Sequence, residues 1–89
     1  MALKINLEKK FARKLGMRTT AIKLFNDLEN EIEVKLDFKN VEFMSRSFAQ
    51  EYVYQKDHAN VKIIEINMSD FIKELLEVVQ EDYIESCYN

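Results

Sequence analysis

Proline and tryptophan are absent from this 89-residue chain, and it holds one glycine, one cysteine and one histidine. Each scarcity excludes something. A single glycine rules out the glycine-rich loops that cradle phosphates. One cysteine, Cys87, forms no internal disulfide and points to a reducing compartment. One histidine beside one cysteine falls short of the ligand sets that hold zinc. It also leaves a serine nucleophile with His58 as the only imidazole base, and nothing in the local sequence ties the two together. We therefore expect no metal, no cofactor and no enzymatic activity. No apolar run approaches the ~18 residues that span a bilayer, and Met1–Asn6 lacks the apolar core of a signal peptide. The expectation is a cytoplasmic protein without a membrane partner.

What is present fits one globular domain. Apolar residues make up 47% and charged residues 33%, and the net charge is −3. That balance speaks against nucleic acid as a partner. Basic residues gather early (Lys9, Lys10, Arg13, Lys14, Arg18) and acidic ones late (Glu74, Glu77, Glu81, Asp82, Glu85).

Hydrophobic periodicity gives the order of elements. Leu3, Ile5 and Leu7 alternate with polar residues as a short strand. Residues 8–16 read either as a helical turn or as a hairpin arm, closed by Gly16 at a position needing unusual dihedrals. Ala21, Ile22, Leu24, Phe25 and Leu28 form a helical stripe, and Asn30 is a candidate left-handed C-cap. Ile32, Val34, Leu36 and Phe38 alternate with Glu31, Glu33, Lys35 and Asp37, the clearest strand in the chain. Asn40 suits a turn at positive φ. Ser45 or Ser47 opens a second helix with Phe48, Ala49, Tyr52 and Val53 inward. Residues 61–66 form a third strand. Ser69 then caps a last helix whose inner face is Ile72, Leu75, Leu76, Val79 and Tyr83.

Such alternation of strands and helices favours a mostly parallel or mixed sheet. Strands buried on both faces read as unbroken apolar runs. Here the charges between Ile32 and Phe38 demand that one face of the sheet be wet. The expected architecture is a small two-layer α/β domain with its helices mainly on one face.

The segment Asp37–Glu51 carries the candidate site. Ser47-Phe48-Ala49-Gln50 matches a capping box with Ser47 at the N-cap and Gln50 reaching back, and the spacing favours that structural role. A phosphate on Ser47, or on Ser45, is the functional alternative, since helix N-termini accept anions. Arg46 and Lys39 are then its nearest cations in sequence. Phe48 is expected in the core, with a contact patch as the alternative. Arg18 is either a solvated first-turn residue or a charge aimed at the same edge. Tyr52 and Tyr54 cannot both face inward on one helix.

These residues resemble a known family. Asp37-Phe38-Lys39-Asn40-Val41 and Phe43-Met44-Ser45-Arg46-Ser47-Phe48 are similar to the STAS domain of bacterial anti-sigma factor antagonists, where Asp-Leu-Ser-Gly-Val precedes Met-Asp-Ser-Ser-Gly. Leu36-Asp37-Phe38, Val41-Glu42 and Ser47-Phe48-Ala49-Gln50-Glu51 look closer still to the STAS-like domain of unknown function, which also tends to carry an arginine near its first helix, here Arg18. The resemblance implies a regulatory protein-interaction module. It implies a histidine-kinase-like ATPase as partner and phosphorylation at the serine matching Ser47. Ser45, Arg46 and Phe48 depart from the family's acidic residue, serine and glycine. The alternatives are a small-molecule or nucleotide sensor using the cleft beyond the strand ends, or a structural subunit of a larger complex.

Overall fold

The computed structural model describes residues 3–88. In chain order these form β1 (Leu3–Asn6), α1 (Leu7–Lys10), β2 (Lys14–Leu15), α2 (Arg18–Asp27), β3 (Glu33–Asp37), β4 (Phe43–Met44), α3 (Arg46–His58), β5 (Lys62–Ile66) and α4 (Asp70–Tyr88). Three strands make a parallel sheet in the order β1-β3-β5, and β2 pairs with β4 as a separate parallel pair.

The sheet order follows the chain order. When each strand is added on the same side of the last, right-handed crossovers place every connecting helix on one face. The two-layer α/β architecture read from the sequence follows from this. Val34, Leu36 and Phe38 turn to the helices and are buried, whereas Lys35 between them is exposed. Register carries the pattern across the sheet: Lys4, Lys35 and Ile64 lie on the wet face, and Ile5, Leu36 and Glu65 on the covered one.

The helix layer is centred on α3, which packs against α2 on one side and α4 on the other. Tyr52 sits at the middle of the core, its ring stacked on Phe48, edge-on to Phe38 and tilted against Phe25. Its hydroxyl donates to Glu65 on β5, so the phenol bridges the two layers. Burial, and then the Glu65 carboxylate, push the Tyr52 phenol well above its ordinary range. Tyr54 is exposed, as one of the two tyrosines had to be.

Several local expectations need correction. Residues 8–16 begin in a helical turn, one of the two readings, and form no hairpin. A short helix, α1, is followed by β2, which reaches across to β4 in parallel. Gly16 has no positive φ, and a Cβ there would meet nothing within 4 Å. Its carbonyl matters instead, because it accepts from the Ser45 hydroxyl at 2.9 Å. Asn30 is not left-handed either. Among the described residues other than glycine, only Asn40 and Asn67 have positive φ, at 66° and 59°. Ile32 lies before the strand and is 88% exposed.

Candidate functional site

The start of α3 is fixed by one serine, and it is Ser45. Its backbone is extended (φ −75°, ψ 160°), and its hydroxyl accepts from the Phe48 N–H at 3.0 Å while donating to the Gly16 carbonyl. That single side chain caps α3 and ties it to the chain leaving β2. The β2–β4 pairing supports the same contact, since the Ser45 N–H donates to the Leu15 carbonyl. A hydroxyl serving both contacts selects Ser45 over Ser47 as N-cap, so the capping box expected at Ser47-Phe48-Ala49-Gln50 does not form. Ser47 lies one residue inside the helix, exposed in its first turn.

The remaining expected site residues separate. Phe48 is fully buried and stacks on Tyr52, so it anchors the core and offers no contact surface. Arg46 is engaged by Asp82 of α4 at 2.6 Å, with both side chains about half exposed. Lys39 lies at the strand-end turn, where its backbone N–H donates to Asp37. It lines a different hollow from Ser47. The cation beside Ser47 is Arg18 instead. A hollow of about 330 Å³ is lined by Arg18, Ser47, Gln50, Glu51 and Tyr54.

Glu51 organises that hollow. Its carboxylate is buried, accepts from Arg18 Nε at 2.7 Å on one oxygen and from Gln55 Nε2 at 2.8 Å on the other. Arg18 is therefore held by its Nε, which leaves its terminal nitrogens on the solvent side. Sequence reasoning gave Glu51 no role. A carboxylate one residue from the inward Tyr52 was the available signal, because a helix turning its stripe toward two neighbours buries such positions.

Beside the Ser45 cap the surface turns apolar. Phe43 of β4 is 42% exposed and stacks on Phe71 of α4, 50% exposed, with centroids 6.1 Å apart. Met17, which leads from Gly16 into α2, is 65% exposed. Val41 is buried and Phe43 is not, because Met44 takes the inward position. Phe71 falls off the Ile72–Leu76–Val79 stripe, and that misplacement was legible in the sequence.

At the end of β3, Asp37 is nearly buried. Its Oδ1 accepts from the Lys39 N–H and from Asn67 Nδ2, both at 2.9 Å, and Lys4 lies 3.9 Å from Oδ2. The Asn67 bond, then the Lys39 N–H, hold this carboxyl below its ordinary value against the opposing effect of burial. Asp37 thus pins the ends of β3 and β5 together. Among the described residues no group of His, Cys, Asp and Glu is placed to hold a metal ion. No helix among them is long and apolar enough to cross a membrane.

Compared with protein-family models, with curated proteins and with solved structures, the chain matches none.

Proposed function

We propose that the chain is a regulatory protein-interaction module whose contact face surrounds the start of α3. The observation that carries the reading is the stacked, half-exposed Phe43–Phe71 pair beside Ser45. Two aromatic rings held against each other and half in solvent form an exposed apolar pair of the kind interaction surfaces use. The same helix start carries polar groups: Ser47 and Arg18 share a hollow, and Arg46 pairs with Asp82. The likeness of residues 36–51 to STAS domains supports the same reading. It implies a histidine-kinase-like ATPase as partner and Ser47 as the switch.

The geometry suits a switch at Ser47 better than at Ser45. The Ser45 hydroxyl is consumed by the cap, whereas Ser47 is exposed and shares a hollow with Arg18. A phosphate on Ser47 would compete with Glu51 for the guanidinium and loosen the α2–α3 contact.

A ligand sensor at the strand ends has less support. A hollow does lie there, lined in part by Asn40, Asn67 and Phe71. But the sheet order β1-β3-β5 contains no reversal, and reversal is what opens a ligand crevice in parallel sheets.

The test is a pull-down from source-cell extract on immobilised wild-type chain, Phe43→Ser, Phe71→Ser, Arg46→Glu and Ser47→Glu, with Lys35→Glu on the wet sheet face as control. A partner retained by wild type and K35E and lost from the others supports the face. Equal capture by every folded variant sinks it. Intact-mass measurement after incubation with the captured partner and ATP reads phosphorylation of Ser47 separately.

A further inference from the structure

α4 carries a second apolar row that the core does not use. Ile72, Leu76 and Val79 are its buried side. Phe71, Leu75 and Val78 lie roughly 100° round the helix from them. Phe71 is 50% exposed and Val78 48%, and Leu75 between them is half-buried. Their spacing is four residues and then three, the step of a seam along which two helices pack. Asp82 and Glu85 continue the same step, so the row keeps to one side of α4 and ends in carboxylates.

The row is anchored at both ends. Phe43 stacks on Phe71 at its start, and Arg46 of α3 holds Asp82 further along. From Phe71 to Glu85 it is about 21 Å long at about 1.5 Å per residue, the length of a helix of about 14 residues. Its flank away from the core is acidic. Glu74 and Glu81 stand there, exposed, and among the described residues neither they nor Glu85 joins an ion pair. Lys73, the one lysine of α4, turns the other way and lines the hollow beside β5.

We propose that this row is a helix-docking face: an amphipathic helix of a partner protein lays its apolar stripe on Phe71, Leu75 and Val78 and sets lysines or arginines against Glu74 and Glu81. Between paired helices the residues beside one seam meet the residues beside the other. Cations flanking an apolar stripe therefore reach the glutamates while the stripe stays on the row. Charge also decides against a second copy, because its α4 laid on this one would set glutamate against glutamate. The inference rests on the Phe43–Phe71 pair being a contact face, and it names the occupant of that face.

The experiment titrates the peptide acetyl-Ala-Leu-Lys-Ala-Lys-Leu-Ala-Gln-Leu-Lys-Ala-Lys-Leu-Ala-amide into the ¹⁵N-labelled chain. The same peptide with glutamate for every lysine is the control. The expected result is saturable shifts centred on the Phe71, Leu75 and Val78 amides, with the glutamate peptide bound about tenfold more weakly. Val78→Ser, at an exposed position, weakens the lysine peptide about tenfold, and Glu74→Lys with Glu81→Lys by a similar factor. Ile84→Ser, equally exposed on the other side of α4, leaves binding unchanged. Shifts confined to another face, equal binding of the two peptides, wild-type binding by V78S or no saturable shift overturns the proposal. So does a chain that light scattering finds dimeric and that V78S makes monomeric, since a second copy then occupies the row. V78S also joins the pull-down: a partner lost from F43S but retained by V78S leaves the face standing and removes only the helix along α4.

Discussion

Arg18 and Glu51, 33 residues apart in the chain, meet at 2.7 Å with the guanidinium 71% exposed and the carboxylate 6% exposed. With the guanidinium this exposed, Coulomb attraction alone contributes little. Its weight lies in the carboxylate, which the fold has removed from water and which needs its donors. Removing Arg18 leaves Gln55 as the only side-chain donor to Glu51 among the described residues. Arg18→Ala should cost about 1–2 kcal/mol in urea unfolding, and Arg18→Lys less, while Glu51→Gln recovers part of the loss in the double variant. Additive single-variant effects would show that the pair is not coupled.

The two serines of the helix start make a second, sharper contrast. Ser45→Ala removes the N-cap and the tie to Gly16 together, and should cost about 1–2 kcal/mol. Ser47→Ala, inside the helix and exposed, should stay within about 0.5 kcal/mol of wild type. Thermal unfolding of the two variants reads the register of α3 directly: the reverse ranking would restore Ser47 as the cap.

Asp37 predicts a pH dependence. Its folded-state carboxyl titrates below its unfolded value, so the unfolded chain takes up the proton first. The stability it contributes is present above the unfolded pKa of about 4 and is lost as pH falls through the folded value. Asp37→Asn should therefore be less stable than wild type at pH 7, and the gap should narrow steadily below about pH 4. A gap constant from pH 7 to the acid limit would remove Asp37 as its source.

Tyr52 predicts the opposite limb. Its folded-state phenol is held well above the unfolded value by burial and by Glu65. Its contribution is complete below about pH 10 and fades as pH rises from there toward the folded value. Tyr52→Phe should unfold more easily at neutral pH by about 1 kcal/mol, and should show a shallower alkaline loss than wild type.

The Phe43–Phe71 pair yields a prediction in the other direction. Replacing either ring by serine removes surface that is already half in water. Stability should change by less than about 1 kcal/mol, while partner capture falls. Greater destabilisation would mark the rings as core and not as a contact face.

The large features of the fold were legible because they rest on period alone. The Val34–Phe38 alternation gave a one-sided sheet, and the Ile72–Val79 stripe gave the inward face of α4. The site was harder to read, because its contacts are long-range. Ser45 and Ser47 have the same local chemistry, and only the Gly16 carbonyl, 29 residues away in the chain, chooses between them. Arg46 looked free until α4 supplied Asp82. Gly16 looked like a conformational necessity because it is the sole glycine, yet its backbone is ordinary. The left-handed position at the end of β5 went to Asn67, whose side-chain amide also bonds Asp37. One residue thus serves as turn and clamp, and sequence pattern cannot separate the two.

The strand order β1-β3-β5 also bears on how the molecule forms. Each strand docks beside the one laid down before it, so no later segment must be threaded between earlier ones. Each pairing still closes a loop of about 30 residues. Without proline, no slow peptide isomerisation interrupts the sequence. Refolding should proceed in one phase, with no proline-limited tail.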